Sequence, residues 1–203
     1  MSSVRCSLVA FALCLAGCTG TEKANDLADF MVADSLQGKP KNETRSSFFP
    51  AKRLSRYDAI IKKYSRRYGF DWRLIAAQIF VESRFEVEAR SRMGAVGLMQ
   101  ILPGTARHLG VEETMLLKPE QNIALGCLYD RRLYNLWKNK EGTNRIAFTF
   151  ASYNAGRSRV LRAERRAASL SQWAAVKSHL PRETQNYVGR IFAKYSEYKK
   201  SHF

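Results

Sequence analysis

From about Leu54 onward the apolar positions recur every three or four residues, and they do so almost to the end of the chain. Tyr57, Ile60, Ile61, Tyr64 and Tyr68 form the first stripe, with Ser55 placed to cap a helix and Gly69 to close it. Asp71 opens the next helix, whose Ile75, Ile79 and Glu82 share one face. A short helix is expected over Thr105–Leu109 ahead of Gly110. Pro119, at a first-turn position, begins a long one through Ile123, Cys127, Leu128, Tyr134 and Trp137. Ile146, Ala147, Phe150 and Ala151 mark a helix from Asn144 to Asn154, ended by Gly156. Two more segments follow, Ser171–His179 and Pro181 to about Tyr198, the second carrying Val188, Ile191, Phe192 and Tyr195. No run alternates with period two for long, so strands should be few or absent. The expected fold class is all-α.

Before Leu54 the pattern is different. Met1 to Gly17 holds one cation, Arg5, then an apolar run from Leu8 to Ala16 and the tetrapeptide Leu15-Ala16-Gly17-Cys18. The run is too short to span a bilayer and reads as a secretory signal. Leu-Ala-Gly-Cys is similar to the bacterial lipoprotein box, which implies cleavage before Cys18 and acylation of that cysteine. Residues 19–50 are polar and aperiodic, with Gly38, Pro40 and Pro50. The expected organisation is a signal peptide at 1–17, a lipidated cysteine with a flexible tether at 18–53, and one folded domain at 54–203. Thr19, where an aspartate would favour inner-membrane retention, directs the expectation to the outer membrane, on its periplasmic side.

The chain carries 34 Lys+Arg against 18 Asp+Glu, a net charge of +16. Removing residues 1–17 takes away only Arg5, leaving 33 against 18, or +15. The field of the exported domain therefore favours anionic polymers and acidic lipid surfaces. Export removes chromosomal DNA as a partner, and no nucleic-acid fold signature accompanies the basic patches, so no nucleic-acid binding is expected. Of four cysteines only Cys127 lies beyond Cys18; it sits on an apolar run and reads as a buried small hydrophobe. His108, His179 and His202 show no metal-ligand spacing, and neither metal nor cofactor is expected.

The chemistry concentrates in the stretch Glu82 to Gln100, ESRFEVEARSRMGAVGLMQ. A carboxyl on a core-facing stripe loses hydration, which penalises its charged form and raises its pKa. Its place near a helix C-terminus acts in the same direction. Helix geometry leaves Glu82 two readings, a general acid or an ordinary surface glutamate on a fraying last turn. Gly94 and Gly97 read as turn residues with positive φ.

Glu82-Ser83-x-Phe85, then Ala89-x-Ser91-x-x-Gly94-Ala95-x-Gly97-Leu98-Met99-Gln100, then Pro103-x-Thr105-Ala106, closely resembles the signature of bacterial lytic transglycosylases of the soluble type. Ala151-Ser152-Tyr153-Asn154-Ala155-Gly156 resembles that family's A-x-Y-N-A-G element, with Ser152 where alanine is commoner, and Glu183-Thr184-x-x-Tyr187-Val188 its last element. The resemblance implies a lysozyme-like, goose-type-like helical domain with a cleft holding one catalytic glutamate. It further implies cleavage of the MurNAc–GlcNAc β-1,4 bond of peptidoglycan with formation of 1,6-anhydro-MurNAc ends. Glu82 would be acid and then base, and the substrate's own C6 hydroxyl the nucleophile, so no second carboxylate is required. Ser91, Met99, Gln100, Tyr153, Asn154, Glu183 and Tyr187 fall at substrate-binding positions, with Tyr153 expected to hydrogen-bond Glu82. The implied partners are glycan strands, the membrane through the lipid anchor, and cell-wall or secretion assemblies.

Three other readings compete. A goose-type lysozyme would hydrolyse the same bond, but the intact Gly97-Leu98-Met99-Gln100 element disfavours it. A non-catalytic glycan-binding module would not need Glu82. A basic nucleic-acid-binding protein would account for the charge but not for the signal or the sugar-site pattern.

Overall fold

The computed structural model describes residues 53–167 and 172–201. The expectations for the signal, for Cys18 and for nearly all of the tether concern residues 1–52 and lie outside it. Among the described residues the secondary structure is helical apart from two isolated bridges, Arg90 with Val96 and Val96 with Ile101.

Helix α1 (Asp58–Tyr68) ends at Gly69 in the left-handed region, φ 68°, as its sequence predicts. Its start differs from expectation. Ser55 does not cap it; the Asp58 carboxylate reaches back and accepts from the backbone N–H groups of Leu54 and Ser55, both at 2.9 Å. A first-turn carboxylate suits the positive end of the helix, and here it fastens the incoming chain rather than capping a helix N–H. Helix α2 (Trp72–Ser83) is capped by Asp71, whose side chain accepts from the Arg73 N–H at 2.8 Å.

α2 is the centre of the molecule. Every residue from Leu74 to Ile79 is buried, so this helix is covered nearly all round rather than along one stripe. Ala76 and Ala77 let neighbouring elements approach closely, and Ile75 and Ile79 each contribute about 2–3 kcal/mol by leaving water. After it come α3 (Pro103–His108), a 3-10 turn (Glu113–Leu117), α4 (Pro119–Leu136) and α5 (Gly142–Ala155). Then follow α6 (Arg157–Arg166), α7 (Trp173–Val176) with a 3-10 turn (Lys177–His179), and α8 (Arg182–Lys200). α8 lies along α2 as its largest partner, α4 packs on α1 and α5, and α5 also touches α6 and α8. Cys127 is fully buried in α4, as its apolar neighbours predict.

Two elements were not foreseen. α6 holds five arginines in ten residues and buries only Val160 and Ala163. The turn at Glu113–Leu117 buries Leu116 alone.

Candidate active site

The segment between α2 and α3 is a compact knot fastened to the core by side chains. Val96 and Ile101 exchange both backbone hydrogen bonds at 3.0 Å, and the Gly97 N–H donates to Ala89 O at 2.9 Å. Asn122 on α4 is the hub beneath them. Its Nδ2 donates to Val96 O at 3.0 Å and Leu116 O at 2.8 Å, and its Oδ1 accepts from the Met99 N–H at 2.7 Å. Gly97 is required at this crossing: its φ is 83°, and a Cβ there would lie 2.3 Å from Asn122 Nδ2. Ser83, next to Glu82, donates to Leu98 O at 2.8 Å and ties the end of α2 to the knot.

Around this knot three non-glycine residues adopt positive φ: Arg84 at 54°, Phe85 at 66° and Gln100 at 48°. Such conformations are uncommon for side-chain-bearing residues and collect at functional sites. Arg84 and Phe85 turn the chain sharply at the end of α2, leaving Glu82 at the wall of an open cleft of about 1390 Å³. That volume exceeds the roughly 300–1,000 Å³ of ordinary small-molecule sites and suits a polymer.

Glu82 is half-buried, with Oε1 accepting from the Tyr187 hydroxyl of α8 at 2.6 Å. Loss of hydration pushes its pKa up to about 8, against opposition from the Tyr187 hydrogen bond and the Arg190 charge. At neutral pH the carboxyl therefore holds a proton, and the open cleft leaves it able to deliver that proton to a bound oxygen. Once ionised, the carboxylate keeps Tyr187 as donor and Arg190 as nearby cation.

The other expected residues divide. Ser91, Gln100, Tyr153, Asn154, Glu183 and Tyr187 all line the cleft with Glu82. Ser91 Oγ accepts from Ala95 N–H at 3.0 Å, so it also holds its own turn. The Gln100 amide nitrogen is engaged with Ala89 O and Gly97 O at 3.0 and 2.9 Å, leaving Oε1 as the end without a protein partner. Asn154 Oδ1 accepts from Thr184 at 2.8 Å, joining α5 to α8.

Two expectations need correction. Met99 does not line the groove: its side chain is 0 % exposed and fills a socket over Gly126, where an added Cβ would meet its sulfur at 2.2 Å. Only its backbone serves the site. Tyr153 does not hydrogen-bond Glu82; its hydroxyl donates to Met99 O at 2.8 Å, and Tyr187 supplies the bond instead. Tyr187 reaches the carboxylate because α8 lies directly along α2.

The cleft also holds residues the motif does not mark. Met93, 40 % exposed, provides apolar surface there, while Arg84, Arg90, Arg182 and Arg190 make the walls cationic. Arg190 was legible, since Glu183, Tyr187 and Arg190 follow helical spacing along α8.

The profile of the transglycosylase SLT domain family matches residues 59–176, more than half of the chain. The chain belongs to that family. This SLT domain is 37% identical over 134 residues to the membrane-bound lytic murein transglycosylase F of Desulfosudis oleivorans, covering 64% of this chain and 29% of the relative. With the enzyme of the same name from Vibrio cholerae it shares 38% over 138 residues, covering 66% of this chain and 25% of the relative. The chain thus spans under a third of the length of these relatives. Among solved structures, the 70 kDa soluble lytic transglycosylase of Escherichia coli superposes with a TM-score of 0.62 at 29% identity, over 71% of this chain and 24% of that one. The complex of the 70 kDa soluble lytic transglycosylase with bulgecin A gives 0.64 at 30% identity, over 71% of this chain and 24% of that one. The SLT domain has the lysozyme-like helical fold that its motifs implied.

Proposed function

We propose that this chain is a peptidoglycan lytic transglycosylase that cleaves the MurNAc–GlcNAc β-1,4 bond and leaves 1,6-anhydro-MurNAc ends, with Glu82 as acid and then base. The observation that carries this reading is the state of Glu82: a carboxyl protonated at neutral pH, held by one hydroxyl donor on the wall of a polymer-sized cleft. In the first step Glu82 gives its proton to the leaving glycosidic oxygen as the C1–O bond breaks. The resulting carboxylate, held by Tyr187, then takes the proton of the C6 hydroxyl as that oxygen closes onto C1. The intramolecular nucleophile has a high effective concentration, so no water need be activated. Ser91, Gln100, Asn154 and Glu183 line the cleft where the strand would lie, and the arginines suit an anionic polymer.

The relatives' names and a Pseudomonas aeruginosa lytic transglycosylase Slt, inactive with glutamine in place of a glutamate and 27% identical here with a TM-score of 0.59, agree with this reading. We place the protein in the periplasm, tethered through lipidated Cys18 and a flexible segment to the outer membrane, which suits relatives named as membrane-bound. Among the described residues no helix is long and apolar enough to cross a membrane.

The test is a digest of purified peptidoglycan by the wild-type protein and by Glu82→Gln, read by mass spectrometry. Products one water lighter than lysozyme products, absent with the variant, are expected. Reducing-end products would make the protein a hydrolase. Binding without cleavage by either form would make it a glycan-binding module.

A further inference from the structure

Behind Glu82, away from the cleft, lies a second carboxyl for which the proposed mechanism has no use. Asp130, on α4, is 0 % exposed, and so is Gln78 of α2 beside it. One amide nitrogen joins them to the site: Gln78 Nε2 stands 3.4 Å from Asp130 Oδ1 and 3.4 Å from the Tyr187 hydroxyl oxygen. The Tyr187 hydroxyl in turn donates to Glu82 Oε1 at 2.6 Å. The two hydrogens of the amide thus have two acceptors, at the long end of hydrogen-bond range. Gln78 Oε1 and Asp130 Oδ2 are both buried without a partner.

We propose that Asp130 is a positioning residue: its carboxyl holds the Gln78 amide with nitrogen toward the Tyr187 oxygen, and so keeps the Tyr187 proton on Glu82. This rests on Glu82 being the acid of the proposed cleavage. The amide has two orientations. With nitrogen toward Tyr187, the hydroxyl oxygen accepts a bond and the hydroxyl proton becomes a stronger donor to Glu82. With oxygen toward Tyr187, Gln78 would compete with Glu82 for that single proton. Asp130 decides between them, because its Oδ1 offers an acceptor to the nitrogen.

The groups facing Asp130 determine its charge. Cys127 and Tyr129 lie on its own helix, Glu82 comes from α2, Tyr153 from α5 and Tyr187 from α8. None of these is a cation. Burial, helped by Glu82, pushes the Asp130 carboxyl well above the usual carboxylate range, with the Gln78 bond opposing. The carboxyl thus resists ionisation, and its Oδ1 faces the Gln78 nitrogen as acceptor. That resistance disfavours a second negative charge behind Glu82 when Glu82 ionises during the reaction.

The test uses kcat, KM and pH profiles on soluble uncross-linked glycan strands, with melting temperatures measured in parallel. Asp130→Leu and Gln78→Met should each lower kcat about tenfold with KM little changed. Each should also move the alkaline limb of the kcat profile upward by about half to one unit, since the Glu82 carboxylate loses support. Asp130→Asn keeps a neutral acceptor and should retain both the rate and the limb. If Asp130→Leu fails to fold, Gln78→Met and Asp130→Asn carry the test alone. A change in melting temperature with rate and limb unmoved would reduce Asp130 to a packing residue. A downward limb in Asp130→Asn would show that Asp130 is ionised, and would overturn the proposal. Glu82→Gln in the same assay separates the two levels. If it still cleaves, the assignment of the acid is wrong; if it is dead while the Asp130 and Gln78 variants match wild type, only the positioning role falls.

Discussion

Replacing Glu82 with glutamine should alter how stability depends on pH, in a direction that burial of the carboxyl dictates. The folded protein holds a proton on Glu82 up to about pH 8, whereas an ordinary glutamate releases it at 4.5. Between those values the folded state binds a proton that the unfolded chain has lost, so stability falls as pH rises. The contribution is fully present below the unfolded value and is lost on passing the folded one. At full strength this change in pKa corresponds to about 5 kcal/mol. Glu82 is only half-buried and water in the open cleft screens it, so about 2–3 kcal/mol is the figure to expect. Glutamine has the shape and neutrality of the protonated acid, and its carbonyl can accept the Tyr187 bond. Urea unfolding of both proteins at about pH 5 and about pH 9 isolates the effect, because other titrating groups are common to both. The two should be equally stable at the lower pH, and Glu82→Gln should be the more stable by about 2–3 kcal/mol at the higher one. Parallel loss in both proteins, or a less stable variant at about pH 9, would refute the reasoning.

Three further outcomes follow from contacts around the site. Tyr187→Phe removes the donor at 2.6 Å from Glu82, so the pKa of Glu82 should rise further and the proposed cleavage should fall about tenfold or more, as a pH–rate profile would show. Gly126→Ala places a Cβ 2.2 Å from the Met99 sulfur and should cost about 1–3 kcal/mol by thermal denaturation. Asn122→Ala strands the Met99 N–H and the Leu116 carbonyl and leaves Val96 O with the Ile101 N–H alone, and should cost about 3 kcal/mol in a urea titration.

The helices that carry the site were legible because their apolar stripes are dense and their punctuation is strong. Asp71, Gly69, Pro119 and Gly156 mark boundaries within a residue or two of those observed. α6 was not legible. Arginine fills half its positions, and two buried side chains are too few to set a period. The cleft-side residues were readable from motifs at fixed spacing, but the direction of each side chain was not. Met99 points inward because Gly126, 27 positions later, leaves a socket for it, and a local pattern cannot show that. Tyr153 and Tyr187 are both tyrosines within reach of Glu82, and only the lie of α8 along α2 decides which one bonds it. Asp130 left a signal of the kind Glu82 left. It sits on the stripe of Ile123, Cys127, Tyr134 and Trp137, where a charge has no place without a reason.

The bond between Glu82 and Tyr187 joins residues 105 positions apart. One wall of the cleft, with Glu183, Tyr187 and Arg190, belongs to the last of the described helices. Glu82 and its hydroxyl partner therefore cannot meet while the chain is still being synthesised through its middle, and a chain that stops short of α8 carries Glu82 on an unfinished wall. Closing so distant a contact carries a loop-closure cost that slows folding. Assembly of the site then reports that the chain through α8 is in place. The cleft wall that faces Glu82 is thus completed only together with α8.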